Sequence, residues 1–131
     1  MIEIQRCTDK EKWDEYVLDM GGHPLQLWGW GQVKAAHGWK AERFFSYKDD
    51  ELVGAAQVLV RRLPAPFSSF SYIPRGPIGD SQYIDDMLHA IAEICKKEHR
   101  SVALSIEPNS REFKAPKGWK RSKNSVLPAE T

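Results

Sequence analysis

The stretch Tyr72-Ile73-Pro74-Arg75-Gly76-Pro77-Ile78-Gly79-Asp80 joins an apolar strand pattern to the most periodic helix pattern of the chain. Its prolines fix φ and remove N–H donors, whereas its glycines accept φ values that other residues avoid. The turn is therefore predicted to hold one shape and to present Arg75 at a strand-to-helix junction, where α/β folds commonly bind ligands. The alternative is a rigid turn whose arginine is only solvated, and the local chemistry leaves both readings open.

Hydrophobic periodicity predicts strands and helices on both sides of this turn. The strands are predicted over residues 2–6, 40–47, 52–61, 70–73 and 101–106, and the helices over 8–20, 26–37 and from Asp80 or Ser81 to the strand at 101. The order β-α-α-β-β-β-α-β is that of the acetyltransferase-like (GNAT) fold. This is an α/β (α+β) architecture in which a mixed, largely antiparallel sheet is flanked by helices. Such a fold does not by itself define a function.

Local signals refine these elements. Thr8 and Glu11 have the spacing of a capping box at the start of the first helix. In the second helix an apolar stripe of Leu27, Trp30, Val33 and Ala36 is predicted to face the core. Gly29 and Gly31 weaken that helix unless another backbone or a ligand approaches closely there.

Two further signals concern the predicted hairpin. Asp49-Asp50 is predicted to form its turn. Gly54-Ala55-Ala56 places small side chains in the middle of its second strand, which leaves room for a bulky group above the sheet.

The composition is that of an ordinary soluble domain. The 131 residues suit one domain, and a net charge of +1 is too balanced for general nucleic-acid binding. Cys7 and Cys95 show no metal-ligand spacing and are predicted to be reduced thiols of a cytosolic protein. No signal peptide or membrane-spanning run is recognised. We expect one domain over 1–121, followed by a tail or linker over 122–131.

Aromatic rings and charges mark the candidate binding residues. Trp28, Trp30 and Trp39 cluster in sequence around Lys34, and a ring beside a cation suits a nucleobase, a sugar face and a phosphate. The alternative for these tryptophans is simple core packing. Glu107 ends a buried strand, where a carboxylate could hold or deprotonate an amine, or could merely be solvated.

An enzyme of this fold that uses acetyl-coenzyme A should carry the turn R/Q-x-x-G-x-G/A before its long helix, where backbone N–H groups bind pyrophosphate. The segment from Arg75 to Asp80 does not fit that spacing. Pro77 lacks an N–H, and Asp80 places a carboxylate where a phosphate would lie. Coenzyme A binding is therefore the less favoured reading.

Together the motifs resemble those of the Fem-type (FemABX) peptidoglycan bridge-forming aminoacyltransferases. The resemblance is carried by Gln26-Leu27-Trp28-Gly29-Trp30-Gly31-Gln32-Val33-Lys34 with Gly38-Trp39, by Leu52 to Leu59, by Tyr72 to Asp80, and by Ser105-Ile106-Glu107-Pro108. It covers about residues 23 to 108. The Tyr-Ile-Pro-Arg-Gly-Pro run is fairly specific, whereas the hairpin is not.

The resemblance implies an enzyme that transfers an amino acid from aminoacyl-tRNA to the stem peptide of a peptidoglycan precursor, either UDP-MurNAc-pentapeptide or lipid II, during cell-wall synthesis. Lys34 would contact a precursor phosphate with Trp39 nearby. Tyr72 and Arg75 would line the same nucleotide-sugar cleft. Glu107 would position the stem peptide or its amine, and is the one candidate catalytic residue.

Members of that family have two GNAT-like domains, and this chain resembles only the N-terminal one. The aminoacyl-tRNA would therefore bind through a missing second domain, and the chain alone is expected to be inactive. The resemblance implies no cofactor and no metal, and a cytoplasmic protein able to contact the inner face of the membrane. The alternatives are an N-acyltransferase that uses acetyl-coenzyme A and a non-catalytic recognition module.

Overall fold

The fold is described from a computed structural model for residues 2–64, 66, 68–107, 119–121 and 126–128. The strands are β1 Glu3–Arg6, β2 Trp39–Lys48, β3 Glu51–Arg62, β4 Ser69–Pro74, β5 Ile78–Gly79, β6 Ser101–Glu107, β7 Trp119–Arg121 and β8 Val126–Pro128. The α-helices are α1 Lys10–Asp19, α2 Trp28–Ala35 and α3 Ile84–His99. Short 3-10 helices, Pro24–Gln26 and Ser81–Tyr83, precede α2 and α3.

These strands form one sheet in the order β1-β2-β3-β4-β6-β8-β7, and β5 pairs with β3 beyond the end of β4. Every pairing is antiparallel except that of β4 with β6. That pairing is parallel because α3 crosses from the end of β4 back to the start of β6, as a parallel connection requires. The predicted order and the mixed, largely antiparallel sheet are confirmed.

The two faces of the sheet carry different helices. On one face α3 packs an apolar side against alternate residues of the central strands, and this core comprises Phe44, Ala56, Val58, Val60, Ile73, Leu88, Ile91, Cys95, Leu104 and Ile106. The opposite face carries α1, whose Trp13 and Val17 pack with Phe45 and Ala55. Trp28 of α2 lies at the edge of this second core. The candidate site residues therefore have to be assigned to one face or the other.

The small residues of β3 behave as predicted. Gly54 lies under Met87 of α3, and a Cβ atom added there would overlap the Met87 sulfur. Asp49 and Asp50 form the hairpin turn with φ values of 50° and 67°. Positive φ at both central residues matches the right-handed twist of the strands that the turn connects.

Two local predictions for the helices are wrong. The first helix is capped by Asp9, whose carboxylate accepts from Lys12 N, and not by Thr8. The apolar stripe of α2 does not all face inward, because Val33 is 50% exposed, whereas Gly31 is buried. A glycine lets the helix backbone approach the sheet, so the face with the smallest side chain is the one that packs.

The tail predicted over 122–131 contains β8, which pairs with β6 at Ile106 and with β7. The remainder of that tail, and Pro108 after the predicted strand end, lie outside the described residues. The domain boundary at 121 stays a prediction.

Candidate substrate-binding site

Three of the predicted site residues meet at the carboxyl ends of the parallel strands. Tyr72 lies opposite Ser105, and Pro74 lies opposite Glu107, so Tyr72 and Glu107 point to the same side of the sheet. Arg75 follows Pro74 directly, with a φ of 54°. A residue other than glycine in this region is strained, and such strain often accompanies a functional turn.

Arg75 and Glu107 form an ion pair at this edge. Arg75 Nε lies 3.1 Å from Glu107 Oε1, and the two side chains are 42% and 28% exposed. The N–H is not aimed at the carboxylate closely enough for a hydrogen bond, and Nε is buried without a hydrogen-bond acceptor among the described residues. The contact is therefore a charge pair in which both groups keep solvent-facing atoms, and a bound ligand could reorganise it.

Tyr72 shares the environment of this pair. Its partial burial, followed by the negative charge of Glu107, raises the pKa of Tyr72 to about 12, and Arg75 opposes that rise. The phenol is therefore neutral at physiological pH. It offers an aromatic face and an O–H donor next to one cation and one carboxylate.

Lys34 lies on α2, over the face of the sheet that carries Tyr72. Gly31 of this helix packs against the side chains of Arg43 and Gln57, which alternate along their strands with residues that face α3. Lys34 Nζ lies 5.0 Å from the centre of the Trp30 ring, a cation–π contact. Trp30 is half-buried, and its indole nitrogen has no acceptor among the described residues.

Trp39 is not part of the cluster around Arg75. It begins β2 opposite Arg61, which in turn lies opposite Phe70 near the start of β4. Arg75 is five residues further along, roughly 16 Å at the rise of an extended strand. The ring of Trp39 instead contacts the guanidinium of Arg61, 5.4 Å from its centre.

Each of the three clustered tryptophans thus has a cation of its own. The ring of Trp30 makes a cation–π contact with Lys34, and the ring of Trp39 makes one with Arg61. The guanidinium of Arg43 lies 3.6 Å from the centre of the Trp28 ring. Sequence proximity suggested one mixed cluster around Lys34. The structure separates it, because α2 and β2 carry these rings on different elements.

A cavity of 860 Å³ lies at the opposite end of the sheet from Arg75 and shares only Trp39 with the predicted residues. It is lined by Gly38, Trp39, Lys40, Val60, Arg62, Leu63, Ser68, Ser69, Glu98, His99 and Arg100. Its lining carries Lys40, Arg62 and Arg100 against the single carboxylate of Glu98, so it is net positive. The cluster around Arg75 is the better candidate because its ring, cation and carboxylate lie next to one another at the carboxyl ends of two parallel strands.

A buried polar network lies beneath α2, and it was not predicted from the sequence. Arg43 donates to Gln57 Oε1 at 2.9 Å and to the carbonyl of Trp28 at 3.0 Å. Burial lowers the pKa of Arg43, and the nearby negative charge of Asp14 opposes that shift. Gln57 and Gln26 are fully buried and bonded to each other. The signal was a glutamine inside the otherwise apolar run from Ala56 to Val60.

A carboxylate caps the short 3-10 helix Ser81–Tyr83 that leads into α3, whereas α3 itself begins at Ile84 and not at the predicted Asp80 or Ser81. Asp80 Oδ1 accepts from Gln82 N at 3.1 Å, and Asp80 Oδ2 accepts from the side-chain amide of Gln82 at 3.1 Å. A pyrophosphate at this position would meet the Asp80 carboxylate in place of free N–H donors. This geometry agrees with the sequence argument against a coenzyme A turn.

Comparisons with known proteins define first the fold and then the family. A putative GNAT-family acetyltransferase from Desulfovibrio desulfuricans matches with a TM-score of 0.53 over 98% of this chain and 96% of its own, at 13% identity. That likeness establishes a GNAT-like fold and nothing further. The crystal structure of FemX matches with a TM-score of 0.71 at 27% identity, over 82% of this chain and 27% of that one.

The model of the FemAB family matches residues 8–125, and this chain belongs to that family. A lipid II:glycine glycyltransferase from Staphylococcus saprophyticus is 34% identical over 115 residues. One from Staphylococcus aureus is 33% identical over 112 residues. Each alignment covers 82% of this chain and 26% of the relative, so the chain spans about a quarter of their length. None of the helices in the described ranges has the length and apolar character that crossing a bilayer requires.

Proposed function

We propose that this chain is the acceptor-binding, N-terminal GNAT-like domain of an aminoacyltransferase that builds peptidoglycan bridges. The enzyme would move an amino acid from aminoacyl-tRNA to the stem peptide of UDP-MurNAc-pentapeptide or lipid II. The observation that carries the proposal is the meeting of Tyr72, Arg75 and Glu107 at one edge of the sheet. The names of the relatives, lipid II:glycine glycyltransferases, support this class of acceptor.

Each group has a chemical counterpart in such a precursor. A pyrophosphate prefers cations, which Arg75 and Lys34 supply from two elements on the same side of the sheet. The ring of Tyr72 suits a sugar or base face. Glu107 suits the accepting amine, as an orienting carboxylate or a general base. Trp39 lies further along the sheet and would meet only a distant part of a long precursor.

In this reaction the acceptor-binding domain has mainly to align the accepting amine with the aminoacyl ester. The ester of aminoacyl-tRNA is already activated, so holding the amine in line with it could supply much of the rate. The oxyanion stabiliser and the tRNA contacts would come from a second domain. We therefore expect no transfer by the 131-residue chain alone, and a cytoplasmic enzyme working at the inner face of the membrane.

The test is a calorimetric titration of UDP-MurNAc-pentapeptide into the chain, with a short-chain lipid II mimic as a second ligand. We expect saturable binding that Lys34→Ala and Arg75→Ala each weaken. Loss of one charge-assisted contact costs about 1.5–3 kcal/mol, which is roughly a tenfold to hundredfold loss of affinity. The loss should shrink at high salt, because added ions screen the attraction between exposed charges.

Arg62→Ala is the matched control, because this exposed arginine lines the cavity at the other end of the sheet. It should leave both affinities unchanged. An equal loss in all three variants would indicate nonspecific attraction and would contradict the site. Saturable binding of coenzyme A in place of either precursor would favour the acetyltransferase reading. Precursor binding with no transfer in a protein that contains the second domain would favour a recognition module.

A further inference from the structure

Gln26 is a buried polar residue whose side chain joins two strands. Its carboxamide Nε2 donates to the carbonyl of Pro74 at 2.6 Å and to that of Gln57 at 3.3 Å. Its Oε1 accepts from the backbone N–H of Gln57 at 2.7 Å. The residue has no exposed surface. Both ends of the carboxamide are therefore occupied, and one of its partners is the last residue of β4.

The turn that carries Arg75 packs against the same carboxamide. A Cβ atom added to Gly76 would lie 3.0 Å from Gln26 Cδ and 3.1 Å from its Nε2. This spacing is tighter than ordinary van der Waals contact. The residue before Arg75 is thus hydrogen-bonded to Gln26, and the residue after Arg75 lies so close to Gln26 that even a methyl group there would crowd it.

The backbone around Gln26 is itself held firmly. Trp13 of α1 donates from its indole nitrogen to the carbonyl of Gln26 at 2.7 Å. The side-chain amide of Gln57 donates to the carbonyls of Leu25 and Leu27 at 3.1 and 2.9 Å. The segment before α2 is therefore fixed to α1 and β3, and it extends one side chain to the turn.

We propose that Gln26 is a positioning residue, which fixes the turn of Arg75, and with it the Arg75–Glu107 pair, relative to α2 and Lys34. It acts through the Pro74 carbonyl and needs no contact with substrate. The left-handed φ of Arg75 makes such support necessary, because an unsupported turn would relax to a commoner backbone conformation. The inference rests on the proposed function only for its effect on precursor binding.

Two substitutions separate the hydrogen bonds from the volume of the side chain. Gln26→Met keeps the length of the side chain and removes both donors and the acceptor. Gln26→Glu keeps the shape and directs a carboxylate oxygen at the carbonyls of Gln57 and Pro74. Trp13→Phe is the control, because it removes the hydrogen bond to the Gln26 backbone and leaves the carboxamide contacts in place.

The readouts are nuclear magnetic resonance of the Gly76 amide and the Arg75 Nε–Hε group, and the dissociation constant for UDP-MurNAc-pentapeptide. We expect both Gln26 variants to shift these two resonances and to weaken binding by up to roughly tenfold to hundredfold, the loss expected when one charge-assisted contact of Arg75 is no longer made. Gln26→Glu should cause the larger loss of affinity at neutral pH, because its carboxylate oxygen faces the carbonyls of Gln57 and Pro74. Trp13→Phe should lower the melting temperature but leave resonances and affinity near those of the unchanged chain.

The outcomes distinguish this inference from the proposed function. Unshifted Gly76 and Arg75 resonances in Gln26→Met would overturn the positioning role, whatever the affinity. Shifted resonances in a chain that never binds the precursor would support positioning and count against the proposed function. If the Gln26 variants do not fold, Gly76→Ala is the alternative, because its methyl group would press on the Gln26 carboxamide from the turn. This variant should also shift the Arg75 Nε–Hε resonance. Its failure to do so would also overturn the role.

Discussion

Gly29 and Gly31 lie two residues apart on α2, yet only one of them contacts the sheet. A Cβ atom added to Gly31 would overlap Gln57 Oε1 and approach Arg43 Nη2 to 2.6 Å, whereas one added to Gly29 meets nothing within 4 Å. The sequence left two readings open for both glycines, a weakened helix or the close approach of another backbone or a ligand. It could not say which, because the answer depends on how the helix is rotated against strands distant in sequence.

Gly31→Ala is therefore expected to destabilise the protein and Gly29→Ala to stabilise it. Overpacking at the first site should cost about 1–3 kcal/mol. The better helix propensity of alanine at the second, solvent-exposed site should contribute about 0.5–1 kcal/mol. Urea unfolding of the two variants measures both effects. A stabilising Gly31→Ala would contradict the packing of α2 described above.

The ionisation of Tyr72 reports on its neighbours. Burial and the charge of Glu107 raise its pKa to about 12, so Glu107→Gln should lower it towards the ordinary 10.0. Because the folded-state pKa is the higher one, the folded protein binds the proton more tightly. Stability linked to Tyr72 is then full below pH 10 and is lost as the pH rises towards 12.

Carbon-13 resonance of the tyrosine Cζ atoms, assigned with Tyr72→Phe, measures this titration. The matched control is Glu93→Gln, which removes an exposed carboxylate of α3. A Tyr72 pKa that moves equally in both variants would mean that general charge, and not Glu107, sets it.

At the scale of the element, strands and helices were largely predictable, because their signals are local. The hairpin turn at Asp49-Asp50 and the long amphipathic α3 are both confirmed. The capping residue of α1 was not predictable, since Thr8 and Asp9 both suit the position and the choice depends on one residue of register. The contacts of Gln26 were also missed, because its partners are 31 and 48 residues away.

The hairpin turn offers a test at this scale. Asp50 has a φ of 67°, which glycine adopts without strain. Asp50→Gly should therefore stabilise the protein modestly, because relief of the left-handed backbone, about 1–2 kcal/mol, exceeds the entropy that glycine adds to the unfolded chain, about 0.4–1 kcal/mol. An Asp-Gly pair also suits a hairpin turn with two positive φ values. Thermal unfolding measures the change. Glu51→Gly, at the first residue of β3, should instead destabilise the protein, and stabilisation by both would refute the turn geometry.

At the scale of the whole molecule, Glu42 connects parts of the chain that are far apart in sequence. Its carboxylate lies 2.8 Å from Arg6 Nε of β1 and 3.5 Å from His99 Nε2 at the end of α3. Arg6 also pairs with Glu98 at 2.6 Å. Burial alone would raise the pKa of Glu42, but the hydrogen bond and charge of Arg6 outweigh it, so the net shift is downward.

Glu42→Gln should lower the free energy of unfolding at pH 7 by about 1.5–3 kcal/mol, the usual contribution of a hydrogen bond to a charged group. A lowered pKa means that this contribution is present above the ordinary value of 4.5 and is lost as the pH falls further. The difference in the free energy of unfolding between the unchanged chain and Glu42→Gln should thus narrow below pH 4.5. Urea unfolding across pH tests this, with the exposed Glu3→Gln as control. A difference that is constant with pH would exclude a role for the Glu42 charge.

The strand-end rule placed Arg75 and Glu107 where ligands gather, and the family resemblance added Tyr72 beside Arg75, whereas the displacement of Trp39 from these residues was not predicted. Its position follows from the register of β2 on β3, which no local pattern encodes. The family resemblance supplied the candidate residues, and only the sheet shows which of them are neighbours.

The parallel contact of β4 with β6 is flanked by antiparallel neighbours on both sides. The backbone leaves the sheet after Pro74, and the ladder of β4 with β6 fixes where that departure begins. Substitutions in the turn that follows would alter the surroundings of Arg75 without disturbing the layer that supports it. If the proposed function holds, the range of accepted precursors could change while the scaffold is kept.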